Sequence, residues 1–216
     1  MKKNYDIIVF DLDGTITASD LGITNSIKYA LNYFGLEKDN ESLKRHIGPA
    51  LSATFREYVG DDEEKIQLAI KKYREYYVDQ GGMLENEVYE GVEETLKEIK
   101  NRSKKIILAS SKPMVFCEKI LQHFKLDKYF DFIGGSNLDE TRCKKVEVIT
   151  YSLENIGEVP GANVLMVGDR EYDILGAKEL GIDSVGVLFG YGDKEELENA
   201  GATYIIEKMT DILEIV

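Results

Sequence analysis

The stretch Tyr5-Asp6-Ile7-Ile8-Val9-Phe10-Asp11-Leu12-Asp13-Gly14-Thr15 decides how the rest of the chain is read. Tyr5 to Phe10 is an apolar run with β-branched residues, too short for a helix, and it stops abruptly at two aspartates and a glycine. A continuously apolar strand is buried on both faces, which is the habit of parallel sheets. Ligands in open α/β sheets gather outside the carboxyl ends of such strands. Two residues apart on an extended chain, Asp11 and Asp13 share a side, and Gly14 lets the chain turn close to a ligand. An aspartate can attack phosphorus, and a second acid beside it can protonate a leaving oxygen and later deprotonate water. The plain structural alternative is a strand closed by an Asx-turn at an Asp-Gly pair.

Outward from this strand, residues of about 88 to 216 alternate helices and strands. The pattern predicts helices over Val92–Lys100, Met114–Phe124, Lys145–Asn155, Tyr172–Leu180 and Lys194–Asn199, and a short one at the end. It predicts strands over Lys105–Ala109, Phe130–Ile133, Asn163–Val167, Ser184–Leu188 and Tyr204–Ile206. Alternation of this kind makes a doubly wound parallel α/β sheet with right-handed crossovers. Residues 17–87 break the rhythm and show no strand pattern. Leu21, Ile27, Leu31 and Phe34 follow helical spacing up to Gly35, and Ile66, Ala69, Ile70 and Tyr73 repeat it. Pro49 is placed to begin a further helix, and Gly81-Gly82 to serve as an exit hinge. The expected organisation is a core of 1–16 and 88–216 with an all-α insertion at 17–87; the alternative is a helical layer lying directly on the sheet.

A second acidic site, Gly168-Asp169-Arg170-Glu171-Tyr172-Asp173, follows another apolar strand. Carboxylates gathered at one strand edge repel unless a hard cation joins them, and oxygen ligands without histidine suit Mg²⁺. Asp173 also suits the N-terminus of a helix. Ser110 and Ser111, before Lys112-Pro113, offer hydroxyls beside free helix N–H groups, as an anion site or as simple N-caps. Lys144-Lys145 opens a helix, where cations are electrostatically disfavoured unless an anion is near.

Composition sets the limits. With 27 Lys and Arg against 40 Asp and Glu, the 216 residues carry a formal charge of −13, which argues against nucleic-acid and anionic-membrane partners. The 43% hydrophobic content fits a globular chain, and no apolar run approaches the roughly 20 residues of a membrane span. Lys2 and Lys3 make a basic start, but Asp6, Asp11 and Asp13 interrupt any secretory leader. Cys117 and Cys143 form no CxxC pair, and His46 and His123 lie too far apart in sequence for a zinc site without further ligands. A cytoplasmic location is expected.

Taken with their order, these motifs resemble those of the haloacid dehalogenase-like hydrolases, and more narrowly the phosphoglycolate phosphatase-like and 5′-nucleotidase-like bacterial members. The resemblance covers the whole length and implies a Rossmann-like core with a helical C1-type cap at 17–87. It implies Asp11 as nucleophile and Mg²⁺ ligand, and Asp13 as general acid/base with its carbonyl on the metal. Gly14, Thr15, Ser110, Ser111 and Lys145 are the implied phosphate contacts, Lys145 being preferred to Lys144 because Val146-Glu147-Val148-Ile149 follows it. Asp169 is the implied direct metal ligand and Asp173 its support. Two departures stand out: Ala18 replaces an acid many relatives carry, with Asp20 two residues on, and Ser-Ser-Lys stands where Thr-Asn-Lys is common. The implied reaction is hydrolysis of a small phosphomonoester of the phosphoglycolate or nucleoside 5′-monophosphate class. Alternatives are a phosphosugar mutase of the β-phosphoglucomutase type and a receiver domain phosphorylated on aspartate; the length, the insertion and Asp13 speak against the receiver. Arg45 and His46, beside Gly48-Pro49, are the expected substrate-selecting residues, unless they merely decorate a helix surface.

Overall fold

The computed structural model describes residues 3–161 and 163–216, so that Lys2 of the basic start lies outside the described residues. The chain opens with β1 (Ile7–Phe10). Next come β2 (Thr17–Ala18), α1 (Asp20–Tyr33), α2 (Asn40–Leu43), α3 (Leu51–Val59), α4 (Glu63–Arg74) and β3 (Glu87–Val88). The second half runs α5 (Val92–Asn101), β4 (Lys105–Pro113), α6 (Met114–His123), β5 (Phe132–Ser136), α7 (Lys145–Asn155) and β6 (Val164–Gly168). It ends with α8 (Glu171–Glu179), β7 (Asp183–Val187), α9 (Lys194–Ala200), β8 (Tyr204–Ile206) and a 3₁₀ turn at Met209–Glu214. Backbone contacts divide the chain into two compact units, one joining the chain up to Thr17 with Val88–Val216, the other comprising Ala18–Glu87.

The first unit is a six-stranded sheet in the order β5-β4-β1-β6-β7-β8, and every pair is parallel. Ile7 and Val9 pack with Val148, Ile149 and Leu153 of α7 and Ala177 of α8. Ile8 and Phe10 point the other way and are equally inaccessible, so β1 is covered on both faces. From β1 the chain builds β4 and β5 on one side and β6, β7 and β8 on the other. The strand order therefore reverses at β1 and β6, and their carboxyl ends border the crevice where such sheets bind ligands.

The second unit is helical. Ile23, Ile27, Ala30 and Leu31 of α1 are buried, as are Ile66, Ala69, Ile70 and Tyr73 of α4, and α1 packs on α4. Phe55 of α3 meets Tyr73 edge-on at 6.4 Å between ring centres. Asp39 and Asp62 cap α2 and α4 by accepting from the N–H groups of Ser42 (2.9 Å) and Lys65 (3.2 Å).

Several expectations need correction. Residues 17–87 begin and end in two-residue strands, β2 and β3, which pair with each other; two residues are too few to leave a periodic signal. Leu21 is 53% exposed and does not join the apolar face of α1. Pro49 precedes α3 by two residues, with Ala50 at the N-cap. Strand β5 lies at Phe132–Ser136 rather than Phe130–Ile133 and includes Gly134 and Gly135. Glycine has no strand propensity, but a Cβ at Gly134 would stand 1.9 Å from the Ser152 Oγ, so nothing larger fits. The final helix is a 3₁₀ turn.

Candidate active site

The site is built at the carboxyl ends of β1 and β6, with contributions from α7 and α8. Asp11 follows β1, Asp169 follows β6, and Asp173 lies in the first turn of α8. One carboxylate oxygen from each lies within 4.8 Å of the others, and all three residues are buried. Lys145, at the start of α7, enters this group: its Nζ is 2.9 Å from Asp11 Oδ1 and 2.7 Å from Asp173 Oδ1, and it also donates to the Ala109 carbonyl at 3.1 Å. Lys144 is exposed and lies outside the helix, as the N-cap with extended backbone, so the helical step that separates neighbouring side chains does not apply to it. Asp173 does two jobs with two oxygens: Oδ2 accepts the Arg170 N–H at 3.1 Å and caps α8, while Oδ1 faces Lys145.

The Lys145 ammonium contacts two of the three carboxyl groups, Asp11 and Asp173, so the buried acids outnumber the cation at a site out of water. Burial is the main cause that lifts the Asp11 carboxyl to about 6, against the pull of Lys145 and with a further push from Asp173 and Asp13. Burial first, then Asp173 and Asp11, hold Asp169 well above its ordinary range. Burial works to lower Lys145, but Asp11 and Asp173 outweigh it and keep its ammonium above its usual value. Three buried carboxyl groups, oxygen donors alone, fit a hard divalent cation such as Mg²⁺, whose charge would favour their ionised forms.

The turns around the acids are packed to the limit. Gly14 has φ +80°, and a Cβ there would lie 2.0 Å from Asp169 Oδ2, so only glycine can hold both the conformation and the approach. Thr15 donates its hydroxyl to Asp169 Oδ1 at 3.4 Å. Asp169 Oδ2 accepts the Tyr191 N–H at 2.8 Å, and Gly190 passes so close that a Cβ would sit 2.3 Å from Asp169 Cβ. Tyr191 and Gly190 are site residues that sequence reasoning missed. Their signal was the Gly190-Tyr191-Gly192 turn after β7, which carries no chemical group of its own.

The other proposed residues divide. Asp13 does not join the three-carboxylate group through its side chain; Oδ1 accepts from Lys112 Nζ at 2.6 Å. Ser110 is buried on β4, which runs on to Pro113, and its Oγ accepts the Lys112 N–H at 3.3 Å. Neither Ser110 nor Ser111 caps α6, whose N-cap is Pro113 with no side-chain bond. In the helical unit, Arg45 reaches Glu57 Oε2 at 2.7 Å, and His46 Nε2 meets the Tyr58 hydroxyl at 2.8 Å. Burial pulls the His46 imidazole below its ordinary pKa. Both side chains are thus occupied by α3 of their own unit. Cys117 and Cys143 are free thiols. Among the described residues no helix is long and apolar enough to cross a membrane.

A parallel α/β core with nucleophile-like and metal-like acids on adjacent strand ends is an arrangement for phosphoryl chemistry. A sequence profile of haloacid dehalogenase-like hydrolases matches residues 8–187, and the chain belongs to that family. It is an enzyme of the phosphatase kind within it. A 5′-nucleotidase of Pseudomonas aeruginosa is 40% identical over 194 residues, covering 89% of this chain and 87% of that one. The tyrosine-protein kinase PtkA of Mycobacterium tuberculosis is 33% identical over 210 residues, 96% of this chain and 70% of that one. A crystal structure from Clostridium difficile, described as a candidate phosphatase, superposes with a TM-score of 0.89 at 50% identity and covers 99% of both chains.

Proposed function

We propose that the chain is a Mg²⁺-dependent, cytoplasmic phosphomonoesterase that hydrolyses a small phosphorylated metabolite, of the phosphoglycolate or nucleoside 5′-monophosphate class, through an aspartyl phosphate on Asp11. The observation that carries this reading is the Asp11 carboxylate at the end of β1, 2.9 Å from the Lys145 ammonium and grouped with Asp169 and Asp173. In the first half-reaction an Asp11 oxygen bonds to phosphorus, the ester P–O bond breaks, and Asp13 gives a proton to the leaving oxygen. In the second, water attacks the phosphorus, Asp13 takes its proton, and Asp11 is restored as inorganic phosphate departs. Lys145 holds the nucleophile in place and offsets charge on the phosphoryl oxygens. Asp11, Asp169 and Asp173, with the Asp13 carbonyl, would hold the divalent cation, which supplies charge neutralisation as the phosphoryl group transfers. Gly14, Thr15, Ser110 and Ser111 are assigned to the phosphate oxygens.

Residues 17–87 are assigned the selection of the leaving group, as a C1-type cap, because Asp11, Asp13, Ser110, Lys145, Asp169 and Asp173 all belong to the other unit. Since Arg45 and His46 are held by Glu57 and Tyr58, their variants test whether selection runs through them. The deciding experiment measures phosphate release from a panel of phosphorylated metabolites after removal of metal with a chelator, before and after adding Mg²⁺, for the wild type and Asp11→Asn. Turnover that needs Mg²⁺ and vanishes in Asp11→Asn is expected. Full turnover in the chelated sample, or in Asp11→Asn, overturns the reading.

A further inference from the structure

The two aspartates of the Asp11-Leu12-Asp13 sequence are served by different lysines. Lys145 takes Asp11, and Lys112 takes Asp13, with Nζ 2.6 Å from Oδ1. The side chains of the Lys112–Asp13 pair are 7% and 11% exposed, so this is no solvent-screened surface bridge.

The backbone of β4 is shaped to deliver Lys112 there. Strand β4 pairs with β5 through Ser110↔Gly135 and then Pro113↔Ser136, so Ser111 and Lys112 form an insertion with no counterpart on the partner strand. Bulges of this kind re-aim side chains beside active sites. Both backbone groups of Lys112 are held: its N–H donates to Ser110 Oγ at 3.3 Å, and its carbonyl accepts from the Cys117 thiol at 3.5 Å. Burial pushes the Cys117 thiol up and keeps it a neutral donor. Gly135 leaves room for the insertion, since a Cβ there would lie 2.6 Å from the Lys112 carbonyl oxygen. Three separate features thus converge on the placement of one ammonium.

We propose that Lys112 is a positioning residue for proton transfer, its ammonium fixing the Asp13 carboxylate where it serves the leaving oxygen. The contact engages Oδ1 and leaves Oδ2 to carry the proton. The inference rests on the reading of Asp13 as the acid, and its test separates the two. An acid matters most when the leaving oxygen is a poor leaving group and least when it departs readily as a phenolate.

The experiment compares kcat/KM for p-nitrophenyl phosphate with that for phosphoglycolate or a nucleoside 5′-monophosphate, whichever the wild type turns over faster. The variants are Asp13→Asn, Lys112→Met, Lys112→Arg and the double variant Asp13→Asn/Lys112→Met. Lys112→Met should lower kcat/KM for the alkyl phosphate by about 10²-fold, the scale of a misplaced catalytic group, and that for the aryl phosphate by less than about 3-fold. Lys112→Arg should recover part of the loss. The double variant should show no greater gap between the two substrates than Asp13→Asn alone. If Asp13→Asn opens no gap, the acid assignment itself fails. If Asp13→Asn opens one and Lys112→Met lowers both substrates by a common factor, or neither, the positioning role is overturned.

Discussion

The two ends of the parallel sheet treat charge in opposite ways. At the amino end, Asp183 opens β7 and is fully served. It accepts from Lys3 at 2.6 Å and from the Tyr5 hydroxyl at 2.7 Å, and Tyr5 also meets the Tyr204 hydroxyl at 3.1 Å. At the carboxyl end, Asp11, Asp169 and Asp173 are grouped and buried, and one ammonium serves only Asp11 and Asp173. Burial raises the carboxyl group at both ends. At Asp183 the hydrogen bonds from Lys3 and Tyr5 outweigh it and bring the group below its ordinary range; at Asp11 burial wins. The lesson is that a buried acid is a structural fixture when its partners match its charge, and a reactive or metal-seeking one when they fall short.

The sharpest way to break this contrast is to neutralise one acid at each end. Asp11→Asn should cut kcat by about 10⁶-fold, the scale of a lost nucleophile, yet should not lower the melting temperature in metal-free buffer, because it relieves crowding. A variant that melts well below the wild type would show that the carboxyl end is held together by its charges after all. Removing the ammonium instead tests the other side. Lys145→Ala leaves the buried Asp11 and Asp173 carboxylates unpaired and should cost about 3–5 kcal/mol of stability in metal-free buffer, along with most turnover, whereas Lys144→Ala should change neither. Equal small losses from both would return the pair to a solvated surface.

Mg²⁺ should repair the carboxyl end alone. At a concentration near 100 times its dissociation constant it should add about 2.7 kcal/mol to stability, read as a rise in melting temperature that Asp169→Asn abolishes and Asp183→Asn retains. No rise in the wild type would remove the cation from the argument.

The pH dependence should carry opposite signs at the two ends. Asp11 titrates near 6 when folded and near 3.8 when unfolded, so the folded chain binds the extra proton. Its contribution is neutral below about pH 4, becomes unfavourable as pH rises to about 6, and is constant above that, a penalty of roughly 1–3 kcal/mol. Asp183, lowered by folding, stabilises above its unfolded pKa, and that contribution is lost as pH falls through its folded value. Melting curves of the wild type minus Asp11→Asn and minus Asp183→Asn, in metal-free buffer, should slope in opposite directions with pH; slopes of one sign would erase the distinction. The smallest expected effect is Tyr5→Phe, which removes the hydroxyl donor at the amino end. It should cost about 1 kcal/mol and leave kcat unchanged.

Much of the core could be read from residues in order. The apolar run at Ile7–Phe10 announced a parallel strand buried on both faces, and the strand ends carrying Asp11 and Asp169 announced the candidate site, because short-range pattern and chemistry coincide there. Asp173 was legible as a helix cap and as a site acid, and the structure divides these between its two oxygens. What escaped was set by contacts far apart in sequence. Lys112 meets Asp13 across 99 residues, and Tyr191 meets Asp169 through a backbone N–H that any residue type supplies. Strand β5 was misplaced because Gly134 and Gly135 are demanded by neighbours from other elements, not by their own propensity. Arg45 and His46 looked available in sequence, but their partners Glu57 and Tyr58 lie 12 residues on, on α3.

The central position of β1 bears on how the chain comes together in time. Ile7 pairs with Lys105 on one side and Val164 on the other, 98 and 157 residues later in the chain. During synthesis the first strand emerges with both edges open, and neither neighbour exists until the whole of Ala18–Glu87 has followed it. Closing separations of that length costs chain entropy before any ladder bond rewards it, which makes for slow folding. In that interval Ile7-Ile8-Val9-Phe10 is an unpaired apolar edge, the kind of segment that associates with other chains. The strand that organises the finished sheet is therefore its chief hazard on the way there. Ribosome-bound chains ending before Lys105 should leave it exposed, and chains extended past Gly168 should have both partners available to cover it.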